Sequence, residues 1–119
     1  MTPPTTSCRR GAVVLVPFPF TDLSATKQRP ALVISPDAWN AAQPDVMLVA
    51  ITSQMSAPLG SQDLTLTATD VAAAGLPKPS RIRPTKLFTM HSALLKRTLG
   101  HLPDTTTDAI LLQLRTFFS

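Results

Sequence analysis

Three short apolar runs, each closed off by proline or polar residues, constrain this chain more than any other feature. Gly11 to Pro17 (GAVVLVP), Arg29 to Ser35 (RPALVIS) and Asp45 to Thr52 (DVMLVAIT) are too short for buried helices and rich in β-branched residues. Each reads as a core strand. The intervals between them carry little helical period. Phe18 to Gln28 reads as a long exposed loop, and Pro36 to Pro44 as a connection with a helical turn around Ala38–Ala42. Ser53 to Gly60 reads as a second flexible loop.

Further along, Gln62 to Thr67 alternates as a half-exposed strand does, with Leu64 and Leu66 on one face. Thr69 to Ala74 is too short to assign, and Gly75 to Pro79 is a turn. Ser80 to Met90 alternates cations with apolar residues, which puts Arg81 and Arg83 on one face and Ile82 on the other. His91 to Arg97 includes a helical turn, and Thr98 to Leu102 is a short last strand. Pro103-Asp104 opens one helix, whose stripe of Ile110, Leu111, Leu114, Phe117 and Phe118 is core or dimer contact. Five to seven short strands joined by loops predict a mainly β (α+β) fold, a small antiparallel barrel with a C-terminal helix.

A chain of 119 residues, 44% of them apolar, has the size of one domain with one core. The Thr/Pro-rich residues 1–10 are expected to form a disordered tail and residues 11–119 the domain. The lone Cys8 has no partner for an internal disulfide or a thiolate metal cluster, so a reducing cytoplasm is expected. Arg9-Arg10 before an apolar stretch resembles a twin-arginine export signal, but Pro17 interrupts it and no small-residue cleavage site follows. No run approaches the roughly 20 residues needed to span a bilayer, so no membrane role is expected.

The formal net charge is +4, and its placement matters more than its size. All seven acids are Asp, and none falls between Val71 and Pro103, where Lys78, Arg81, Arg83, Lys86, Lys96 and Arg97 stand. Such a stretch attracts polyanions by counterion release, although an ordinary solvated face has the same composition.

No GxxxxGK[ST], GxGxxG, HExxH or CxxC occurs, which removes phosphate-loop, dinucleotide and common zinc signatures. No metal or cofactor is expected. His91 and His101, the only imidazoles, sit among apolar residues and read as packed or surface histidines. What remains is Arg29, opening the second strand behind a loop, and Thr52-Ser53, closing the third. In one antiparallel sheet these ends share an edge, where a guanidinium fork and a hydroxyl can grip a phosphodiester. The bland alternatives are a surface ion pair between Arg29 and Asp22 and an ordinary strand threonine.

In combination and order, GAVVLVPFPFTDLSATKQRPALVIS, VAITSQ, GLPKPSRIRPTKLFTM and RTLGHL resemble the MazF/PemK family of toxin endoribonucleases over roughly residues 11–118. The resemblance implies an SH3-like barrel and a homodimer. It implies metal-independent cleavage of single-stranded RNA at a short sequence, through 2′-hydroxyl attack. It also implies a MazE-like antitoxin whose disordered tail fills the RNA groove. By motif position it makes Arg29 and Thr52 catalytic. Phe18, Phe20, Thr21, Lys27, Gln28, Pro30, Ser53, Gln54, Arg81, Arg83 and Lys86 would line the substrate site. An arginine keeps its proton at ordinary pH, so the general base is left open among His91, Asp22 and water.

A non-catalytic barrel that binds nucleic acid, or a gyrase poison of the CcdB-like kind, is the competing reading. Gyrase poisons rely on a tryptophan near the C-terminus, whereas this chain ends Thr-Phe-Phe-Ser and has only Trp39.

Overall fold

The structure, a computed structural model, describes residues 8–18 and 27–119, with the backbone alone at Phe18 and Lys27. Six strands form one antiparallel sheet: β1 (Ala12–Phe18), β2 (Lys27–Val33), β3 (Asp45–Thr52), β4 (Leu64–Thr65), β5 (Arg81–His91) and β6 (Arg97–His101). Their order across the sheet is β4-β5-β3-β2-β1-β6, and the sheet curls into a half-barrel. Helices α1 (Asp37–Ala42), α2 (Ala68–Ala73) and α3 (Asp104–Phe118) complete the fold, with a short 3₁₀ turn at Ser92–Leu94.

The continuous apolar character of the runs has a direct cause: the sheet is covered on both faces. Val13, Leu32, Val49, Ile51 and Ile82 pack on one face with Ile110 and Leu114 of α3 and Leu76 beyond α2. Their neighbours Val14, Val16, Ala31, Val33 and Leu48 form a second cluster on the other face, closed by Leu95. A strand buried on both sides has no reason to alternate.

Some local assignments change. The strand predicted over Gln62–Thr67 shrinks to Leu64–Thr65, because Thr67 leaves the sheet to cap α2. Leu66 is still buried and Leu64 half-buried beside it, on the face predicted. The unassigned stretch 69–74 is largely α2, a helix started by a reciprocal capping box. The Thr67 side chain accepts from Asp70 N at 3.1 Å, and Asp70 Oδ2 accepts from Thr67 N at 3.2 Å. Asp70 Oδ1 also accepts from Thr106 Oγ1 at 2.8 Å, tying α2 to α3. Asp70→Ala removes the box and strands the Thr106 hydroxyl, so stability should fall by about 1–3 kcal/mol in urea denaturation. Asp70→Asn should recover part of that loss.

The stripe of α3 divides. Ile110 and Leu114 are buried, whereas Phe117 and Phe118 are exposed and pack edge-to-face with ring centroids 5.3 Å apart. Of the expected tail, residues 1–7 lie outside the described residues. Arg10, within that tail, is held: its Nε donates to Ile34 O at 2.8 Å and its N to Asp37 Oδ1 at 2.7 Å. Burial against the second cluster pushes the Cys8 thiol pKa up. No helix among the described residues is long and apolar enough to cross a membrane.

Candidate active site

The sheet register decides what the two ends of β2 and β3 do. Val16 of β1 pairs with Arg29, and Ala31 pairs with Ala50 of β3. The β2–β3 pairs end there, so Arg29 on β2 and Thr52 on β3 each lie two residues past the last pair. Thr52 in turn pairs with Arg81 of β5, and Arg81 with Thr65 of β4. Thr52 and Arg81 thus share a row, and Arg29, which has the parity of Ala31, belongs to the same sheet face beyond the last β2–β3 pair. That face is the one carrying Ala31, Val33 and Leu48.

The assigned β2–β3 pairs stop at Ala31–Ala50. Pro30, next along, has no N–H to extend the ladder. Arg29 is consequently anchored on a strand by its pairing with β1 while its β3 side is unladdered. The guanidinium is half-exposed, and no described carboxylate lies within ion-pair distance of it. Thr52 is half-buried and its Oγ1 accepts from Gln54 N at 3.0 Å. This bond uses the oxygen as an acceptor and leaves the hydroxyl hydrogen to donate elsewhere.

The remaining candidates are distributed unevenly. Ser53, Gln54 and Gln28 are exposed and Pro30 half-buried, all close in sequence to the pair. Lys86 is exposed where β5 bulges: Val49 pairs with Leu87 and the next residue, Ala50, with Arg83, so Pro84, Thr85 and Lys86 are extra. Phe20 and Thr21 lie outside the described residues, as does Asp22, and for Phe18 and Lys27 only the strand positions are known.

Two expectations need correction. Arg81 and Arg83 share a face as predicted, and the Arg83 side chain stays 39% exposed, but Arg81 is not open to solvent. Arg81 is 6% exposed, and Arg83 Nε lies 3.5 Å from Asp63 Oδ1. Alternation reports which face a residue occupies; it is silent on whether a loop covers that face. His91, offered as a general base, pairs with Asp45 at the far end of β3 from Thr52. Seven residue steps at ~3.3 Å each put it about 23 Å away in the same chain. His101 pairs with Ala12, four residues along β1 from the partner of Arg29. Phe88 is half-buried against the second cluster, in keeping with a packing role.

Asp63 is the residue that reading the sequence missed. Its side chain is 4% exposed, and its Oδ2 accepts from Gly60 N at 3.0 Å. The Gly60-Ser-Gln-Asp63 spacing is that of a side chain closing its own turn, which was the available signal. Among the described residues no three His, Cys, Asp or Glu converge on one point.

A profile of PemK-like, MazF-like toxins of type II toxin–antitoxin systems matches residues 9–118. Among curated proteins no sequence matches significantly. Solved structures do match. One is an endoribonuclease in complex with its cognate antitoxin from a mycobacterial species, with a TM-score of 0.71 at 20% identity, covering 91% of each chain. Another is a MazE–MazF crystal form from Deinococcus radiodurans, with a TM-score of 0.72 at 20% identity over 92% of this chain and 94% of that one. The Mycobacterium tuberculosis toxin MazF-mt6 matches with a TM-score of 0.70 at 19% identity, over 90% and 95%.

Proposed function

This chain belongs to the PemK-like, MazF-like toxins of type II toxin–antitoxin systems, and from that premise we propose that it is an endoribonuclease that cuts single-stranded RNA at a short sequence and so arrests translation. What supports the reading is that Arg29 and Thr52 each lie two residues beyond the last β2–β3 pair, on the same sheet face.

The reaction is a transesterification within the substrate. The 2′-oxygen bonds to the adjacent phosphorus, the bond from phosphorus to the 5′-oxygen breaks, and the products are a 2′,3′-cyclic phosphate and a 5′-hydroxyl. Because the nucleophile is tethered to its target, the enzyme's work is alignment and charge stabilisation rather than generation of a hydroxide. Arg29, a fixed cation free of any described carboxylate, stabilises charge on the phosphorane oxygens. Thr52, its rotor held by Gln54 N, donates to a non-bridging oxygen. Neither takes the proton of the 2′-hydroxyl. Within one chain His91 lies at the other end of the sheet, so that task goes to Asp22 or to a water, and a water gives a proton to the departing 5′-oxygen.

The substrate wall in this reading consists of the 18–28 segment with Phe18, Phe20, Thr21, Lys27 and Gln28, together with Pro30, Ser53, Gln54, Arg83 and Lys86. Unpaired bases stack on its aromatic rings. The active species is a cytoplasmic homodimer, and its antitoxin blocks the same groove with a disordered tail. The mycobacterial endoribonuclease solved in complex with its cognate antitoxin supports that partner class.

Incubation with a long RNA in EDTA tests the reaction. Discrete fragments with 5′-hydroxyl ends are expected. RNA that stays intact across varied sequences overturns the nuclease reading in favour of a binder, and cutting only when Mg²⁺ is restored overturns metal independence. RNA affinity should also fall steeply and linearly on a log–log plot against salt; a flat line would mean that the basic residues do not touch RNA.

A further inference from the structure

Arg81 is a buried cation without an anion among the described residues. It is 6% exposed, and the sole ion pair among the described residues belongs to its neighbour Arg83. Removing a guanidinium from water is costly unless hydrogen bonds compensate, and an apolar side chain would fill the position without that cost. Its compensation comes from backbone. Nη1 donates to Pro58 O at 3.3 Å and Nη2 to Met55 O at 3.2 Å, while the buried Nε has no partner among the described residues.

Both carbonyls belong to the irregular segment that leaves β3 directly after Thr52. Met55 follows Gln54, whose N–H holds the Thr52 hydroxyl. The far end of the segment is closed by Asp63, which accepts from Gly60 N and lies beside Arg83. A chain of short links thus runs from Arg81 through Met55 and Gln54 to Thr52, which itself pairs with Arg81 across β3 and β5.

We propose that Arg81 is a positioning residue for the reaction centre: it straps residues 53–60 against β5 and thereby fixes the Thr52 hydroxyl and the wall formed by Ser53 and Gln54. The proposal rests on the Arg29–Thr52 reading of the site. It also differs from the expectation that Arg81 touches RNA itself. A phosphate ligand adds to the salt slope of binding; a strap does not.

Arg81→Met separates the two. Amide exchange at Gln54, Gly60 and Asp63 should quicken about tenfold or more, because the segment that shelters these hydrogen bonds opens. On RNA, kcat should fall by about 10–100-fold, with KM changed less than about threefold. The slope of log Kd against log salt should stay at the parent value, and Arg81→Lys should restore part of kcat through one carbonyl. A slope shallower by about one, with exchange at parent rates, would make Arg81 a phosphate ligand and overturn the strap. Should the methionine variant not fold, Arg81→Gln is too short to span both carbonyls and must show the faster exchange; parent-rate exchange in it overturns the proposal. Exchange needs no catalysis, so an inert parent enzyme would sink the nuclease reading while the strap is still decided.

Discussion

Arg29→Ala is expected to lower RNA cleavage by about 10²–10³-fold while leaving the fold in place. The magnitude is that of losing one preorganised donor aimed at developing charge, roughly 3–4 kcal/mol of transition-state stabilisation. The fold should tolerate the change because the guanidinium is half-exposed and has no described ion pair to lose. An unfolding midpoint shifted by more than the equivalent of about 1 kcal/mol would mean that Arg29 holds the strand as well. Arg29→Lys keeps the charge but not the planar fork that meets two phosphate oxygens, so it should recover only part of the rate. Single-turnover cleavage at saturating enzyme isolates the chemical step from binding. Parent-rate cleavage by the alanine variant would remove Arg29 from the mechanism altogether.

Gly75→Ala should be the most damaging single methyl in the protein. Helix α2 ends with Gly75 at φ +69, its N–H donating to Ala72 O at 3.2 Å and Leu76 N to Val71 O at 3.1 Å. These paired bonds are those of a helix end that turns through the left-handed region, which suits glycine. The same turn lies against β6: a Cβ on Gly75 would stand 2.1 Å from Leu99 O, and one on Gly100 would stand 2.4 Å from Ala73 O. Both obstacles are backbone and cannot rotate away. The left-handed conformation costs about 1–2 kcal/mol for an L residue, and forced separation of packed segments a further 1–3 kcal/mol. A loss of about 2–5 kcal/mol is a large share of the roughly 5–15 kcal/mol that holds a domain together. Urea denaturation should show it as a lower midpoint. A shift worth less than about 1 kcal/mol would mean that α2 and β6 are not packed backbone to backbone.

How much of this was legible beforehand depends on the range of the interaction involved. The three core strands and α3 follow from runs and periods contained within single segments, and they appear close to the predicted limits. Helix α2 escaped because six residues carry too little period to detect, although Thr67-Ala-Thr-Asp70 contained its capping box. Arg81 was assigned to the correct face and the wrong environment. Its cover is the segment holding Met55 and Pro58, which lie 26 and 23 residues earlier in the chain. His91 looked eligible because it follows the basic strand directly, yet an eleven-residue strand carries it to the opposite end of the sheet.

The amino-acid order alone determined that Arg29 opens a buried strand behind a proline, that Thr52 closes another, and that no sequence motif for a phosphate loop, a dinucleotide or a common zinc site is present. The tertiary structure decided that these two ends fall at the same end of one antiparallel sheet. That placement depends on a register of Ala31 against Ala50, set between strands separated by a connecting segment and held by the packing of both sheet faces. Periodicity within a strand fixes which way a side chain points. Only pairing between strands fixes what stands opposite it.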